Sequence, residues 1–270
     1  METGLHGKIA LITGGGKGIG KASALALARE GVDAVINDID VASAEAVAKE
    51  ITALGCRSMV ATADVSSETE VKEMVGRVIR EWGGIDILIN NAGVSGVAMV
   101  EDTEKSDWDR VLDVDLGGTF NCSKAVIDTM KKRGGGKIIN IASIAGLRTA
   151  WLSAAHYTAA KAGVLGLTRH LAWELGHFKI NVNAICPGNV RTALFEKVST
   201  PEETEYLRRQ YPLGELPTAD DIADSVVFLA SDRARMINGC SIVVDGGFSL
   251  SIGCVDWDAY VRKKKEARER

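Results

Sequence analysis

Seven short apolar segments divide this chain at intervals that leave room for helices between them. They lie near residues 8–13, 33–39, 58–63, 85–89, 137–141, 180–185 and 241–244. The segment 9–12 reads IALI and is apolar at successive positions, as a parallel strand buried on both faces is. Strands that alternate with helices predict an α/β fold with a doubly wound parallel sheet of about seven strands and right-handed crossovers. No linker or repeat interrupts the pattern, which indicates a single domain.

The first strand leads into a glycine-rich turn and then into an alanine-rich helix. Residues 13–20 read TGGGKGIG. Glycines let a backbone approach a ligand closely, and a helix N-terminus offers free N–H groups, so the turn predicts a phosphate-binding site. Ala22 has no hydroxyl for a P-loop magnesium, and no register fits G-x-G-x-x-G. Gly14, Gly18 and Gly20 instead fit G-x-x-x-G-x-G.

Asp38 ends the second strand, where an acid can accept hydrogen bonds from an adenosine ribose and repel a 2′-phosphate. The alternative role is a cap for the helix expected over residues 41–54, which Asp40 or Ser43 could provide equally well. We favour the ribose role for Asp38.

Tyr157 and Lys161 are four residues apart in a stretch that favours helix, so they stand one above the other on one helix face. On that face the Lys161 ammonium can stabilise a phenolate at Tyr157, as a general acid/base near neutral pH requires. The alternative is a chance pair on a solvated helix.

Polar residues and glycines recur where the predicted strands end. They are the glycine turn, Asp38, Asp64, Asn91, Ser143 and the Pro187-Gly188 pair. Ligands bind at the carboxyl ends of the strands in an open α/β sheet, so this shared placement indicates one site.

Taken in order, these motifs resemble the short-chain dehydrogenase/reductase family over residues 8–247. The matching motifs are TGxxxGIG at 13–20, NNAG at 90–93, Ser143, YxxxK at 157–161, Pro187-Gly188 and DGG at 245–247. The resemblance implies a Rossmann-type NAD(P)-binding catalytic domain over residues 1–247, a C-terminal extension over residues 248–270, hydride transfer, and a homotetramer or homodimer.

The resemblance also implies roles for individual residues. Tyr157 is expected to be the acid/base, Ser143 to hydrogen-bond the substrate oxygen, and Lys161 to hold the nicotinamide ribose and support the phenolate. The expected cofactor-binding residues are Gly14, Lys17, Gly18, Ile19, Gly20, Asp38, Ile39, Asp64, Val65, Asn91, Ala92, Gly93, Tyr157, Lys161, Pro187, Gly188, Val190 and Thr192.

Two positions need separate treatment. Asp115 stands where the family normally has an asparagine that completes a proton relay. We keep Asp115 among the catalytic residues, because its main-chain carbonyl can still serve, while its carboxylate would partly offset the Lys161 ammonium. Lys17 stands where NADP-dependent members often carry a basic residue. Because Asp38 would face a 2′-phosphate directly, we expect NAD as the cofactor in preference to NADP.

The loops above the sheet, at residues 95–97, 144–156 and 189–211, are expected to set substrate specificity. The expected substrate-binding residues are Ser95, Ser143, Trp151, Leu152, Tyr157, Asn189, Leu194 and Phe195. We expect a largely apolar pocket, and no cluster of basic residues marks it for a phosphate or a carboxylate. These features favour a secondary alcohol or ketone with apolar bulk, such as a hydroxysteroid or a hydroxyacyl compound.

Two other functions are consistent with the same motifs. An NADPH-dependent 3-oxoacyl-thioester reductase is favoured by Lys17 and opposed by Asp38. A nucleotide-sensing regulatory protein without turnover is opposed by the presence of Ser143, Tyr157 and Lys161.

Composition excludes several classes of partner. A formal net charge of -4 gives no reason to expect nucleic acid or an anionic membrane as a partner. The five cysteines are odd in number and lack C-x-x-C spacing, so neither a disulfide framework nor a metal site is expected. With no cleavable signal and no apolar run of membrane-spanning length, we expect a cytoplasmic protein.

Overall fold

The computed structural model describes residues 3–149, 153–192, 195–196, 199–250 and 257–268. Within these residues, seven strands form one parallel sheet in the order β3-β2-β1-β4-β5-β6-β7. The strands are β1 (Ile9–Thr13), β2 (Asp33–Asn37), β3 (Ser58–Val60), β4 (Ile87–Asn90), β5 (Gly136–Ile141), β6 (Ile180–Pro187) and β7 (Ser241–Val244). The predicted single α/β domain with a seven-stranded parallel sheet is confirmed.

Both faces of the sheet are covered by some of the nine α-helices in the described part of the chain. They are α1 (Gly18–Arg29), α2 (Val41–Ala53), α3 (Glu68–Trp82), α4 (Lys105–Val111), α5 (Gly118–Lys132), α6 (Ala155–Leu175), α7 (Pro201–Gln210), α8 (Ala219–Ala230) and α9 (Trp257–Arg268). One apolar core joins the sheet to α1, α2 and α8, and a second joins it to α3, α5 and α6. Neighbouring residues of β1 explain both cores, because Ile12 packs into the first and Leu11 into the second.

The order in which successive strands are added to the sheet reverses between β1 and β4. From β1 the strand order runs through β2 to β3 on one side and through β4 to β7 on the other. A crevice opens at such a switch point outside the carboxyl ends of the strands, where open α/β sheets bind ligands. The glycine turn after β1 and Asn91 after β4 both lie at this point.

The helical region between β4 and β5 is not one continuous helix. A π-helical turn, Leu112–Gly117, separates α4 from α5. Such turns hold an extra residue and recur at functional sites. This one carries Asp115, whose carboxylate is fully buried, and the Thr119 hydroxyl donates to the Asp115 carbonyl at 2.7 Å.

Helix α7 lies in the segment 189–211, which the sequence analysis treated as a loop above the sheet. It begins with a capping box in which Thr200 accepts from the Glu203 N–H and the Glu203 carboxylate accepts from the Thr200 N–H. Only one α7 residue, Leu207, is buried. None of the helices in the described part of the chain is both long and apolar enough to cross a membrane.

Candidate active site

The glycine turn is held in place by β4 and the residues that follow it. The Asn91 side-chain amide donates to the carbonyls of Thr13 and Gly14, at 3.0 and 2.9 Å. The Thr13 hydroxyl accepts in return from the N–H groups of Asn91 and Ala92, each at 3.0 Å. The turn is therefore fixed by hydrogen bonds within the chain itself.

The same turn has the features that a phosphate group needs. Gly14 and Gly18 have positive φ angles of 59° and 52°, which favour glycine. A Cβ atom on Gly20 would lie 2.1 Å from the Gly14 carbonyl oxygen, so only glycine fits there. Helix α1 begins at Gly18, and no side chain caps its N-terminus. Its first N–H groups therefore face the crevice without a side-chain acceptor, and they fit a dinucleotide phosphate.

Asp38 and Asp40 have separate roles at the end of β2. The Asp40 carboxylate caps α2 by accepting from the Ser43 N–H, so the cap does not depend on Asp38. Asp38 instead accepts from the N–H groups of Gly16 and Asp40, each at 2.9 Å. The Lys17 ammonium lies 2.6 Å from the Asp40 carboxylate and forms an exposed ion pair with it.

Ile39, Asp64 and Val65, three more of the residues expected to bind the cofactor, follow the ends of β2 and β3. The Ile39 side chain is 76% exposed at the rim of the crevice. Asp64 is exposed and accepts from the Ser66 N–H and hydroxyl, whereas Val65 is buried beneath Gly118. The exposed side chains of Ile39 and Asp64 are therefore accessible to a ligand at the carboxyl ends of β2 and β3.

Tyr157 and Lys161 lie on α6, with the Lys161 ammonium 5.4 Å from the centre of the Tyr157 ring. The ammonium donates to the Ile141 carbonyl at 3.1 Å and lies 3.0 Å from the Asp115 carboxylate. The second Asp115 oxygen accepts from the Val94 N–H at 2.8 Å. Asp115 and Lys161 thus form a buried ion pair beside the tyrosine.

Neighbouring negative charges favour the protonated form of Lys161. Burial alone would lower the pKa of Lys161, but the negative charges of an ionised Tyr157 and of Asp115 raise it above the usual 10.5. The Lys161 ammonium therefore contributes its full stabilisation of the folded protein at every pH below 10.5. That contribution is lost only as the pH rises through the higher folded-state pKa.

Ser143 follows β5 and faces the same space as Tyr157. Its hydroxyl accepts from the Ala145 N–H at 3.1 Å, which leaves its own proton available to a ligand oxygen. Burial raises the pKa of the nearby Cys186 thiol to about 11, so this thiol stays neutral at ordinary pH. Burial likewise raises the pKa of Tyr211 to about 12.

The segment after β6 is positioned by Tyr211. The Tyr211 hydroxyl accepts from the Asn189 N–H at 2.8 Å, and a Cβ atom on Gly188 would lie only 2.9 Å from that hydroxyl. Val190 packs against the core. Thr192 is the nearest neighbour of a Cβ placed on Gly18, at 3.6 Å, so this segment faces the glycine turn.

A cavity of about 220 Å³ lies beside Tyr157. Four predicted substrate-binding residues, Ser95, Ser143, Tyr157 and Asn189, line it together. Phe195 instead packs against an apolar cluster formed by Leu207, Tyr211 and Leu216. Trp151, Leu152 and Leu194 lie outside the described residues. The cavity is also lined by four residues that were not among the expected substrate-binding residues, namely Arg148, Thr149, Ser153 and Phe248.

A buried polar network beneath the site was also not predicted. The Asn90 amide donates to Ser123 of α5 and to Asn140, and the Asn140 amide donates to Thr168 of α6, at 2.8–3.0 Å. These bonds fix α5 and α6 against β4 and β5 and so position the helix that carries Tyr157. The available signal was an asparagine at the end of each of two apolar strands, a position where a buried amide needs partners.

The chain is similar to known proteins over most of its length. A family model described as enoyl-(acyl carrier protein) reductase matches residues 14–249. The (2S)-[(R)-hydroxy(phenyl)methyl]succinyl-CoA dehydrogenase subunit BbsD of Thauera aromatica is 41% identical, over 93% of this chain and 100% of that protein. The 3-oxoacyl-[acyl-carrier-protein] reductase FabG of Thermotoga maritima is 36% identical, over 91% of this chain and 99% of that protein.

Solved structures agree as well. Levodione reductase matches with a TM-score of 0.87 at 32% identity, over 91% of this chain and 99% of that chain. These similarities define an oxidoreductase with a Rossmann-type sheet, of a family that binds a nicotinamide cofactor. The chain belongs to the short-chain dehydrogenase/reductase family.

Proposed function

We propose that this protein is an NAD(H)-dependent oxidoreductase that interconverts a secondary alcohol and a ketone. The observation that carries the proposal is the cluster beside the cavity, in which Tyr157 and Ser143 share one wall and Lys161 lies behind the tyrosine. A phenol and a hydroxyl that face the same small space can both reach one substrate oxygen.

The proposed mechanism assigns one proton transfer to the protein. During alcohol oxidation Tyr157, as the phenolate, takes the proton from the substrate hydroxyl, and Ser143 donates a hydrogen bond to the same oxygen. The Lys161 ammonium stabilises the phenolate, while Asp115 and the Ile141 carbonyl hold the ammonium in place. When bound, the nicotinamide cofactor supplies the acceptor or the donor of hydride.

NAD is the proposed cofactor. Asp38 supports it, because a carboxylate at the end of β2 would repel a 2′-phosphate. The cap of α2 depends on Asp40, and Lys17 is paired with that same Asp40, so neither arrangement requires a phosphate. The exposed Lys17–Asp40 pair is weak enough to open, and for this reason cofactor preference needs a direct measurement.

Thioester chemistry is the second candidate. The printed names of two relatives refer to a succinyl-CoA compound and to a 3-oxoacyl group on a carrier protein. A hydroxyacyl or oxoacyl thioester therefore remains within the proposed class of alcohols and ketones. A regulatory protein without turnover is disfavoured, because the chain retains Ser143, Tyr157 and Lys161.

We also propose a homotetramer or a homodimer. The support is apolar surface on the two long helices beside the site, where Phe120 of α5 is 46% exposed and Trp173 of α6 is 82% exposed. Large apolar side chains exposed on neighbouring helices are typical of surfaces that a second chain covers.

The test is a screen of secondary alcohols, ketones and 3-oxoacyl thioesters with NAD(H) and NADP(H), monitored by absorbance of the reduced nicotinamide. Tyr157→Phe removes only a hydroxyl, so we expect turnover to fall about 10²–10⁴-fold while cofactor affinity is kept. Ser225→Ala, on α8 and outside the cavity, also removes only a hydroxyl; it is the matched control and should leave the rate unchanged. Retention of more than about a tenth of the rate in Tyr157→Phe would assign the proton transfer to another group.

A further inference from the structure

The cavity beside Tyr157 is more polar than the sequence analysis expected. Hydroxyl and amide side chains face it from three of its segments, namely Ser95, then Ser143, Thr149 and Ser153, and finally Asn189. Arg148 is the one basic residue among the described residues that line it. A substrate held here therefore meets a positive charge on the same wall that carries the reacting hydroxyls.

Arg148 is held in a defined position. Its N–H donates to the Ile144 carbonyl at 3.0 Å, at the end of the short 3₁₀ turn that begins after Ser143. One guanidinium nitrogen, Nη1, donates to the Ser249 carbonyl at 2.8 Å. Ser249 is itself fixed, because its N–H donates to the buried Asp245 carboxylate at 2.7 Å. The Arg148 guanidinium is thus held in place through one of its three nitrogen atoms.

The remaining donors of Arg148 have no acid to pair with in the described part of the chain, where no carboxylate lies within ion-pair distance of it. A guanidinium has five N–H donors in a rigid fork, and one bond to a carbonyl leaves a pair that matches a carboxylate. Other arginines near the site are already paired, as Arg191 is with Glu196.

We propose that Arg148 binds a carboxylate of the substrate, so that the preferred substrates are oxo acids and the matching hydroxy acids. This inference rests on the proposed function, since it places the carboxylate a few bonds from the carbonyl carbon that faces Tyr157. A cavity of about 220 Å³ suits a small acid. Arg148 is a specificity residue in this scheme and takes no part in proton transfer.

The experiment compares 3-oxobutanoate, 4-oxopentanoate and 5-oxohexanoate with their methyl esters, in steady-state reduction by the wild-type protein, Arg148→Met and Arg148→Lys. The wild type should prefer at least one acid to its ester. Arg148→Met should lower kcat/KM for that acid about 10–100-fold, mainly through KM, and change the value for the ester less than about threefold. Arg148→Lys should keep part of the preference, because it keeps the charge but loses the fork.

Arg169→Met is the matched control, because Arg169 is exposed on α6 and does not line the cavity. It should change neither substrate series. An equal loss for acid and ester in Arg148→Met would overturn the proposal and reduce Arg148 to a support for Ser249. An unchanged acid preference would overturn it as well.

The two proposals can fail separately. If no alcohol or ketone is turned over with either cofactor, the proposed function fails, and calorimetric titration of the same acids into the protein with NAD⁺ decides the carboxylate site. Acid binding that exceeds ester binding and is lost in Arg148→Met upholds the site. Equal binding of acid and ester to the wild type overturns it.

Discussion

Asp115 faces two donor groups at once: one carboxylate oxygen accepts a hydrogen bond from the Val94 N–H, and the other forms an ion pair with the Lys161 ammonium at 3.0 Å. An asparagine at this position has only one acceptor oxygen, so its amide N–H₂ would face one of these donors. The carboxylate therefore links Val94 to Lys161 in a way that an asparagine side chain cannot repeat.

Asp115→Asn should remain active, with the rising limb of the kcat/KM profile for alcohol oxidation moved to lower pH by about one unit. The reason is that removing the carboxylate charge leaves the Lys161 ammonium uncompensated beside Tyr157, which favours the phenolate. The variant should also lose about 1–3 kcal/mol of unfolding free energy, because one buried donor loses its acceptor. The measurements are the pH profile and urea unfolding.

Asp86→Asn is the control for this prediction. Asp86 is also buried and ion-paired, with Arg133 at 2.8 Å, but it lies at the amino edge of the sheet, away from the site. It should lower stability and leave the pH profile where it is. A profile that does not move in Asp115→Asn would restrict Asp115 to a structural role.

The preference for NAD over NADP is expected to depend on the charge of Asp38. Asp38→Asn removes the charge and keeps an oxygen that can accept from the Gly16 N–H. The ratio of NADP to NAD dissociation constants, measured by calorimetry, should fall about tenfold or more toward one, because the repulsion of the 2′-phosphate is removed. Tighter binding of NADP than of NAD by the wild type, with a loss in Lys17→Ala, would transfer the choice of cofactor to Lys17.

Much of this residue-level chemistry was predictable. Tyr157 and Lys161 follow from helical spacing, and the sequence also indicated that a carboxylate at Asp115 would oppose the lysine charge. The double role of Asp115 was not predictable, because it depends on the π-helical turn and on the path of the chain at Val94. Neither leaves a pattern in the sequence.

At the level of elements, the glycine turn and the start of α1 depend on Gly20. Gly20→Ala should lower stability by about 1–3 kcal/mol and weaken NAD binding, because the new Cβ would overlap the Gly14 carbonyl and the Asn91 amide. Gly76→Ala in α3 is the control, since its Cβ would meet only the flexible end of Arg80, at 3.3 Å. It should raise stability by about 0.5–1 kcal/mol. Thermal unfolding and NAD titration measure both effects.

Equal destabilisation by the two alanines would mean that helix propensity, and not the close approach within the turn, determines the effect of Gly20→Ala.

The sequence predicted most strands and helices to within a few residues, because buried strands and amphipathic helices have clear periods. It did not predict α7, where only Leu207 is buried and the apolar period is therefore absent. The T-P-E-E sequence at residues 200–203 was the remaining signal.

At the scale of the whole molecule, assembly can be measured directly. The wild type should show a mass of two or four times 28.7 kDa by light scattering at micromolar concentration. Trp173→Glu should lower that mass, because it places a charge on the exposed apolar surface of α6. Met236→Glu changes an equally exposed residue at the amino edge of the sheet and should have no effect. A wild type of 28.7 kDa would rule out the proposed assembly.

The position of the site in the molecule was predictable, because every parallel strand ends at the same edge of the sheet. The cavity wall was not, because Ser95, Arg148, Asn189 and Phe248 come from four separate segments. Phe248 reaches this wall by stacking on Tyr211, with 4.8 Å between ring centres. Side-chain packing of this kind links residues far apart in sequence and leaves no local signal.

The bond from the Gly16 N–H to Asp38 has an evolutionary consequence. Under the proposed NAD preference, a lineage that adapts toward a phosphorylated cofactor would change residue 38, and most substitutions there also remove the acceptor of the Gly16 N–H. Early intermediates would then bind either dinucleotide poorly. Asparagine and serine keep an acceptor oxygen at residue 38, so intermediates that carry either residue should retain dinucleotide binding. Laboratory selection for the other cofactor should therefore recover a polar residue at this position first.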